Sequence, residues 1–114
     1  MASVTVAGIS VNPTKDNFDR KTDKGVSVAF KSSRKDNVDY RLFAEKKEAG
    51  TWKKVQAAEW SESGIAPKDE FVDVYKFKDY FKNQAGTFRL VIGFYTDKGK
   101  TSLGNVRTSS FKIK

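Results

Sequence analysis

The stretch GTFRLVIGFYTDKGK, residues 86–100, carries the clearest structural signal in the chain. Large apolar side chains fall at every second position from 88 to 94, which is the period of a β-strand with one buried face. The inward set is Phe88, Leu90, Ile92 and Phe94, and the outward set is Arg89, Val91, Gly93 and Tyr95. In the TDKG that follows, the Asp can bond to its own downstream backbone and the Gly tolerates positive φ, so the tetrapeptide predicts a turn.

Six further segments have strand-like composition and are separated by turn residues. They are residues 3–11, 26–30, 38–46, 51–60, 71–77 and 105–114. The first changes phase near Gly8, which suggests a bulge or a switch between sheets. A turn or a single helical turn is expected around KDYF, residues 78–81, and no long helical periodicity competes with the strands. About seven short strands in one domain, residues 1–114, predict an all-β antiparallel two-sheet sandwich, with an antiparallel β-barrel as the alternative.

Composition argues against most enzyme classes. The chain has neither Cys nor His, which removes Ser-His-Asp chemistry, thiol nucleophiles and the usual zinc sites. The acidic loop with Asp16, Asp19 and Asp23 lacks the spacing of a calcium-binding EF-hand and is rich in Lys and Arg. No two carboxylates are singled out by spacing as an acid and base pair. We therefore expect a non-enzyme with no cofactor and no metal.

The formal net charge of +8 favours contact with polyanions such as nucleic acid, teichoic acid, sulfated glycan or an acidic lipid surface. The alternative is a soluble surface that is simply rich in lysine. No apolar run is long enough to span a membrane, and the N-terminus has no signal-peptide pattern. We expect an extracellular or cell-surface location for a mature domain, with a cytoplasmic one left open.

The order of three landmarks resembles bacterial immunoglobulin-like and fibronectin-III-like modules, and is especially similar to their triple-tyrosine type. The landmarks are Tyr40 in DYRLF, Trp52 in GTWKKV, and Gly86-Thr87-Phe88 followed by a strand that ends in Asp97-Lys98-Gly99. The resemblance covers roughly residues 38–104. Phe88 stands where the pattern has a tyrosine, so the hydrogen bond of a tyrosine corner is lost there. The resemblance implies a spacer or interaction module, with Trp52 as a packing residue and without catalytic residues.

In an immunoglobulin-like sandwich the third, penultimate and last strands share a sheet, here 38–45, 87–95 and 105–114. Alternation then predicts a common outer face. That face carries Arg41, Phe43, Arg89, Val91, Tyr95, Lys112 and Lys114. Cations among aromatic rings suit contacts with acidic sugars or bases, and equally with a protein partner. An ordinary solvated face is the simpler interpretation.

Two further groups of residues complete the candidate set. Trp52 and Trp60 are candidates for a flat sugar-binding platform. The other interpretation is that Trp52 packs in the core, where the resemblance places a packing residue, and that Trp60, which precedes a polar loop, packs in the core or at its rim. Lys53, Lys54, Lys76, Lys78 and Lys82 are expected on a different sheet or on an edge.

The sequence thus predicts a non-catalytic interaction or structural module, part of a bacterial surface or virion assembly. Its partner would be a protein or a neighbouring domain. The alternative is a binding module for an acidic polymer: teichoic acid, a sulfated glycan or, less favoured, nucleic acid.

Overall fold

A computed structural model describes residues 4–56, 59–60 and 64–114; the side chains of Glu59, Trp60 and Asp97 lie outside the description. The strands of the described residues are β1 (Val4–Val6), β2 (Ile9–Pro13), β3 (Asn17–Phe18), β4 (Val26–Ser32), β5 (Asp39–Glu48), β6 (Thr51–Lys54), β7 (Glu59–Trp60), β8 (Glu70–Tyr75), β9 (Gly86–Thr96), β10 (Thr101–Arg107) and β11 (Phe111–Ile113). One short helix, α1 (Phe77–Tyr80), follows β8, and a 3-10 turn (Asp97–Gly99) follows β9.

The described strands form two open sheets. Sheet A has the order β1-β2-β4-β8, and sheet B has the order β3-β11-β9-β5-β6. In sheet B, β10 pairs with β9 and β7 pairs with β5. The parallel pair between β3 and β11 makes sheet B mixed. The predicted all-β sandwich is confirmed, and the barrel alternative is wrong, because the strands lie in two separate sheets.

Strand β9 is the centre of sheet B. It pairs antiparallel with β5 along one edge and with β10 and β11 along the other. The predicted inward residues Phe88, Leu90, Ile92 and Phe94 are all fully buried. Burial of each such side chain contributes about 1.5–3 kcal/mol of stability. The prediction that the third, penultimate and last strands share a sheet is therefore confirmed, with β9 between the other two.

Sheet A supplies the opposite half of the core. Alternate residues of β2 and β4 point inward and are fully buried, among them Ile9, Val11 and Phe30. Phe81, directly after α1, packs edge-on against Phe88 at 5.2 Å. The chain from α1 to Phe81 thus contributes a buried ring beside the start of β9.

The described part of the first segment, from Val4 onward, is a hairpin without a bulge. Residues Ala7 and Gly8 both have positive φ, 51° and 82°. Two such residues form the tight turn that joins antiparallel strands, and Val6 pairs with Ile9 across it. The change of phase near Gly8 marks this turn, so the predicted bulge or switch between sheets was wrong.

The last segment is interrupted by a bulge. Arg107 pairs with Val91, but Phe111 pairs with Phe88, so residues 108–110 oppose only 89 and 90. The backbone N–H of Thr108 donates to the Leu90 carbonyl at 2.9 Å, and the Leu90 N–H donates to the Thr108 hydroxyl at 3.0 Å. The bulge reverses the alternation, so Val106 is buried while Arg107 points outward. Together with the N-terminal hairpin and the short strands β3 and β7, it raises the strand number above the predicted seven.

Two turn predictions are confirmed. The TDKG at 96–99 leaves β9 through the 3-10 turn, in which Lys98 has a positive φ of 57°. Strand β8 ends at Tyr75, slightly before the predicted residue 77, and α1 then forms over FKDY.

Candidate functional site

The outer face of sheet B gathers most of the predicted site residues. In the register of β5 and β9, Arg41 pairs with Gly93 and Phe43 with Val91. On the other edge of β9, Asn105 pairs with Gly93 and Arg107 with Val91. Paired residues point to the same face of a sheet, so these side chains form rows that cross three strands.

These rows surround a shallow hollow of about 270 Å³, called here the Gly93 hollow. Its lining residues are Arg41, Phe43, Lys54, Val91, Gly93, Tyr95, Asn105 and Arg107. Because position 93 has no side chain, Asn105 and Tyr95 can lie close over its backbone at the floor of the hollow. A Cβ built there would lie 2.6 Å from Asn105 Oδ1 and 3.0 Å from the Tyr95 hydroxyl.

The aromatic rings of this face already carry cations. Lys54 Nζ lies 4.5 Å from the centroid of the Phe43 ring, and the Arg89 guanidinium lies 4.3 Å from that of Trp52. Such contacts stabilise by about 0.5–1 kcal/mol at exposed sites. Each ring therefore holds a cation in place on the outer surface, and one face of each ring is occupied.

Trp52 was expected in the core and is not there. It lies opposite Lys47, on the outer face of sheet B, and is half-buried. Val55, which follows the strand, is buried instead. Trp52 is thus a packing residue, as the resemblance implied, but it packs on the outer surface beneath Arg89.

An ion pair holds the middle of the face. Arg89 Nε donates to Glu45 Oε1 at 2.8 Å, and both side chains are about four-fifths buried, with exposures of 21% and 17%. In the register of β5 and β6, Lys54 is the residue opposite Glu45. The Glu45 carboxylate is therefore neutralised by Arg89, so it offers little repulsion to an approaching anion.

A second hollow, of about 640 Å³, lies at the end of sheet B where β3, β11 and the start of β9 meet. We call it the Lys112 hollow; among its lining residues are Lys15, Asn17, Asp19, Asp23, Thr87, Lys112 and Lys114. Lys112 pairs with both Thr87 and Asn17, which places these three on the outer face. The hydrogen bond from Lys15 at 2.8 Å, and then that from the Asp19 N–H, hold the pKa of Asp23 below its ordinary value.

The strands of sheet B carry more cations than carboxylates on their outer face. The described cations of this face are Arg41, Lys47, Lys54, Arg89, Arg107 and Lys112, and the described carboxylates are Asp39 and Glu45. Within the described ranges, neither Lys54 nor Arg107 lies within ion-pair distance of a carboxylate. An excess of cations on one face favours the approach of acidic groups.

The predicted set is thus divided between three places. Arg41, Phe43, Val91 and Tyr95 line the Gly93 hollow, Arg89 lies beside it, and Lys112 and Lys114 line the Lys112 hollow. The side chain of Trp60 is outside the described residues, although its backbone pairs with Arg41.

Four residues of the Gly93 hollow are not among the predicted site residues: Lys54, Gly93, Asn105 and Arg107, of which only Gly93 was predicted to point outward. Lys54 does lie on a strand at the edge, as expected, but on the same sheet and face as the predicted set. Arg107 was missed because simple alternation from Phe111 places it inward. Val106 was the available signal. Alternation from Phe111 would place this apolar residue outward and the charged Arg107 inward, and such a reversal indicates a bulge between them.

Two further features were sought in the described part of the chain, a metal-binding cluster and a membrane-spanning helix. No group of three or more His, Cys, Asp or Glu side chains is arranged there to hold a metal ion. Helix α1, the helix of the described residues, is neither long nor apolar enough to cross a membrane.

Comparison with protein-family models found no match to this chain, and comparison with curated proteins found no similar sequence.

Proposed function

We propose that this chain is a non-catalytic interaction module of the immunoglobulin-like or fibronectin-III-like kind, similar to the triple-tyrosine type. The strand connections support the assignment. Strands β2, β4 and β8 share one sheet, while β5, β9 and the pair β10 and β11 share the other. This is the distribution of the A, B and E strands and of the C, F and G strands in immunoglobulin-like domains.

The observation that carries the function is the Gly93 hollow with its ring of cations. Arg41, Phe43 and Tyr95 are partly buried, so each loses less conformational freedom on binding than a fully exposed side chain. Tyr and Arg are the residues that most often anchor protein contacts. We propose that the outer face of sheet B binds an acidic surface of a protein partner or neighbouring domain, in an assembly at a bacterial cell surface or in a virion.

A second candidate is a binding module for an acidic polymer. It is favoured by one observation, the spread of cations over both hollows and not over the Gly93 hollow alone. A compact protein anchor needs a single central cluster, whereas a polymer gains from charges placed along its length.

Chemical-shift mapping tests both candidates on the folded chain. The probes are poly-glutamate as an acidic protein surface, heparin as an acidic glycan, and single-stranded DNA. At least one of them should shift backbone amides at Arg41, Val91, Gly93 and Asn105 while amides of β2 and β4 stay unchanged. Shifts that follow the lysines over the whole surface, or that fall mainly on sheet A, would contradict the assignment of this face.

A further inference from the structure

The two hollows lie along one strand of the same face. Thr87 lines the Lys112 hollow and Gly93 lines the Gly93 hollow, and both belong to the outward side of β9. Six residues of strand separate them, which corresponds to about 20 Å. The molecule is 38 Å in its longest dimension, so the two hollows together span a large part of its length.

Cations line both sides of the path between the hollows. On the β5 and β6 side lie Lys47 and Lys54, and on the β10 side lies Arg107. On the path itself Arg89 holds Glu45 at 2.8 Å, so the one described carboxylate in the middle is paired. An anionic chain running along β9 therefore meets an excess of cations. Asp19 and Asp23 also line the Lys112 hollow, where Asp23 is paired with Lys15.

The geometry favours recognition by charge over recognition by stacking. Proteins that bind single strands of nucleic acid offer aromatic faces on which bases stack. Here Lys54 occupies a face of Phe43, and Arg89 occupies a face of Trp52. What the surface offers to a ligand is ammonium and guanidinium groups, which suit sulfate and carboxylate groups carried on a sugar backbone.

We propose that a linear acidic glycan binds along β9 and contacts both hollows at once. This inference rests on the second candidate function, binding of an acidic polymer, and adds its substrate class and its mode of binding. Because the two contacts are joined by one chain, the second is made at high effective concentration. A fragment shorter than about 20 Å reaches only one hollow and binds correspondingly more weakly.

The test is a length series of heparin fragments, from the disaccharide to fragments well beyond 20 Å, with affinity measured by calorimetry at fixed salt. Two variants disable one hollow each: K54Q/R107Q and K112Q/K114Q. The matched control, K31Q/K78Q, removes the same charge from exposed positions on β4 and α1. Folding of every variant is checked by circular dichroism and urea unfolding, so that a loss of binding is not confused with unfolding.

The wild-type chain and the control should show a stepwise gain in affinity, about tenfold or more, once the fragment reaches both hollows. Either hollow variant should lose this step and bind long and short fragments alike. Loss of two exposed contacts should weaken binding of long fragments about fivefold to twentyfold.

Each other outcome overturns a defined part of the reasoning. Saturable binding on sheet B without dependence on length refutes the two-hollow mode and leaves the proposed function standing. Tighter binding of single-stranded DNA than of heparin fragments of equal charge replaces the glycan by nucleic acid. Equal weakening in the control and in the hollow variants refutes a glycan site altogether, because binding then follows net charge alone.

Discussion

Replacing Gly93 by Ala probes the Gly93 hollow without changing any charge. The new Cβ would lie 2.6 Å from Asn105 Oδ1 and 3.0 Å from the Tyr95 hydroxyl, well inside the 3.4–4 Å of ordinary van der Waals contact. Both neighbouring groups are the ends of side chains, and Asn105 is exposed, so they can move. Either displacement changes the shape of the Gly93 hollow.

The stability of the Gly93→Ala variant should change little. Gly93 is not among the residues with positive φ, so Ala fits its backbone. A change from Gly to Ala at a compatible site stabilises by about 0.4–1 kcal/mol, because the unfolded chain loses freedom. Displacement of Asn105 and Tyr95 opposes this gain. We expect the free energy of unfolding to stay within about 1 kcal/mol of the wild type, measured by urea denaturation.

Binding should change more than stability. Loss of one well-placed contact at an interface costs about 1 kcal/mol or more. The affinity for whichever acidic probe binds, heparin or poly-glutamate, should therefore fall about fivefold to tenfold. The double variant G93A/N105A removes the closest clash and should recover part of that loss. A double-mutant cycle over the two positions then gives a non-zero interaction energy.

Two results would refute this reasoning. If the single variant binds the partner as the wild type does, the Gly93 hollow is not part of the contact surface. If the variant is destabilised by more than about 2 kcal/mol, the side chains around Gly93 are fixed in place and the hollow is a packing feature of the sheet.

Three further predictions concern stability. Phe88→Ala should lower the free energy of unfolding in urea by about 3–5 kcal/mol, because its ring is fully buried; a loss below 1 kcal/mol would place it outside the core. Arg89→Ala should lower the free energy of unfolding by about 1–2 kcal/mol, because it removes the Glu45 ion pair and the Trp52 contact. Arg89→Lys should recover only part of this loss, and full recovery by Lys would show that charge alone matters. Burial, and then the neighbouring tyrosine and aspartate side chains, raise the pKa of Tyr75. The neutral hydroxyl of Tyr75 therefore contributes fully to the stability of the fold below pH 10, and this stability is lost as the pH rises above 10. The stability of Tyr75→Phe should therefore fall less steeply above pH 10, by about 1.4 kcal/mol per pH unit, and equal slopes would contradict the burial of this hydroxyl.

The sequence predicted those parts of the fold where a single period runs without interruption. Alternation from Phe88 to Phe94 correctly assigned the buried face of β9, since β9 pairs with β5 without a break in register. The prediction of the turn at 96–99 succeeded because Asp and Gly favour turns locally, whatever the rest of the chain does.

Two wrong predictions, at residues 7–8 and 108–110, share one physical cause: a local change of backbone geometry shifts the phase of the alternation. The bulge at 108–110 depends on the hydrogen bonds between Thr108 and Leu90, which are 18 residues apart in the chain. It reversed the face of Arg107 and so removed that residue from the predicted site. The hairpin at Ala7 and Gly8 was mistaken for a bulge because a two-residue turn and a bulge both shift the phase of alternation.

The candidate site was predicted correctly only where its strands are regular. Arg41, Phe43, Val91 and Tyr95 lie on regular stretches of β5 and β9, and the structure brings them together. Lys54 was not joined to them because the pairing of β6 with β5 depends on register across the hairpin.

A comparison of two variants with equal charge tests the central claim most directly, namely that the outer face of sheet B is the binding surface. K54Q/R107Q removes two cations from the Gly93 hollow, and K31Q/K78Q removes two cations elsewhere. Both variants therefore lower the net charge of +8 by the same amount. Affinity for heparin and for poly-glutamate is measured over a range of salt concentrations. We predict that K54Q/R107Q alone weakens the binding of at least one of these ligands by about fivefold or more and reduces its salt dependence. Equal affinities and equal salt slopes for the two variants, with both ligands, would show that the outer face of sheet B is not the binding surface.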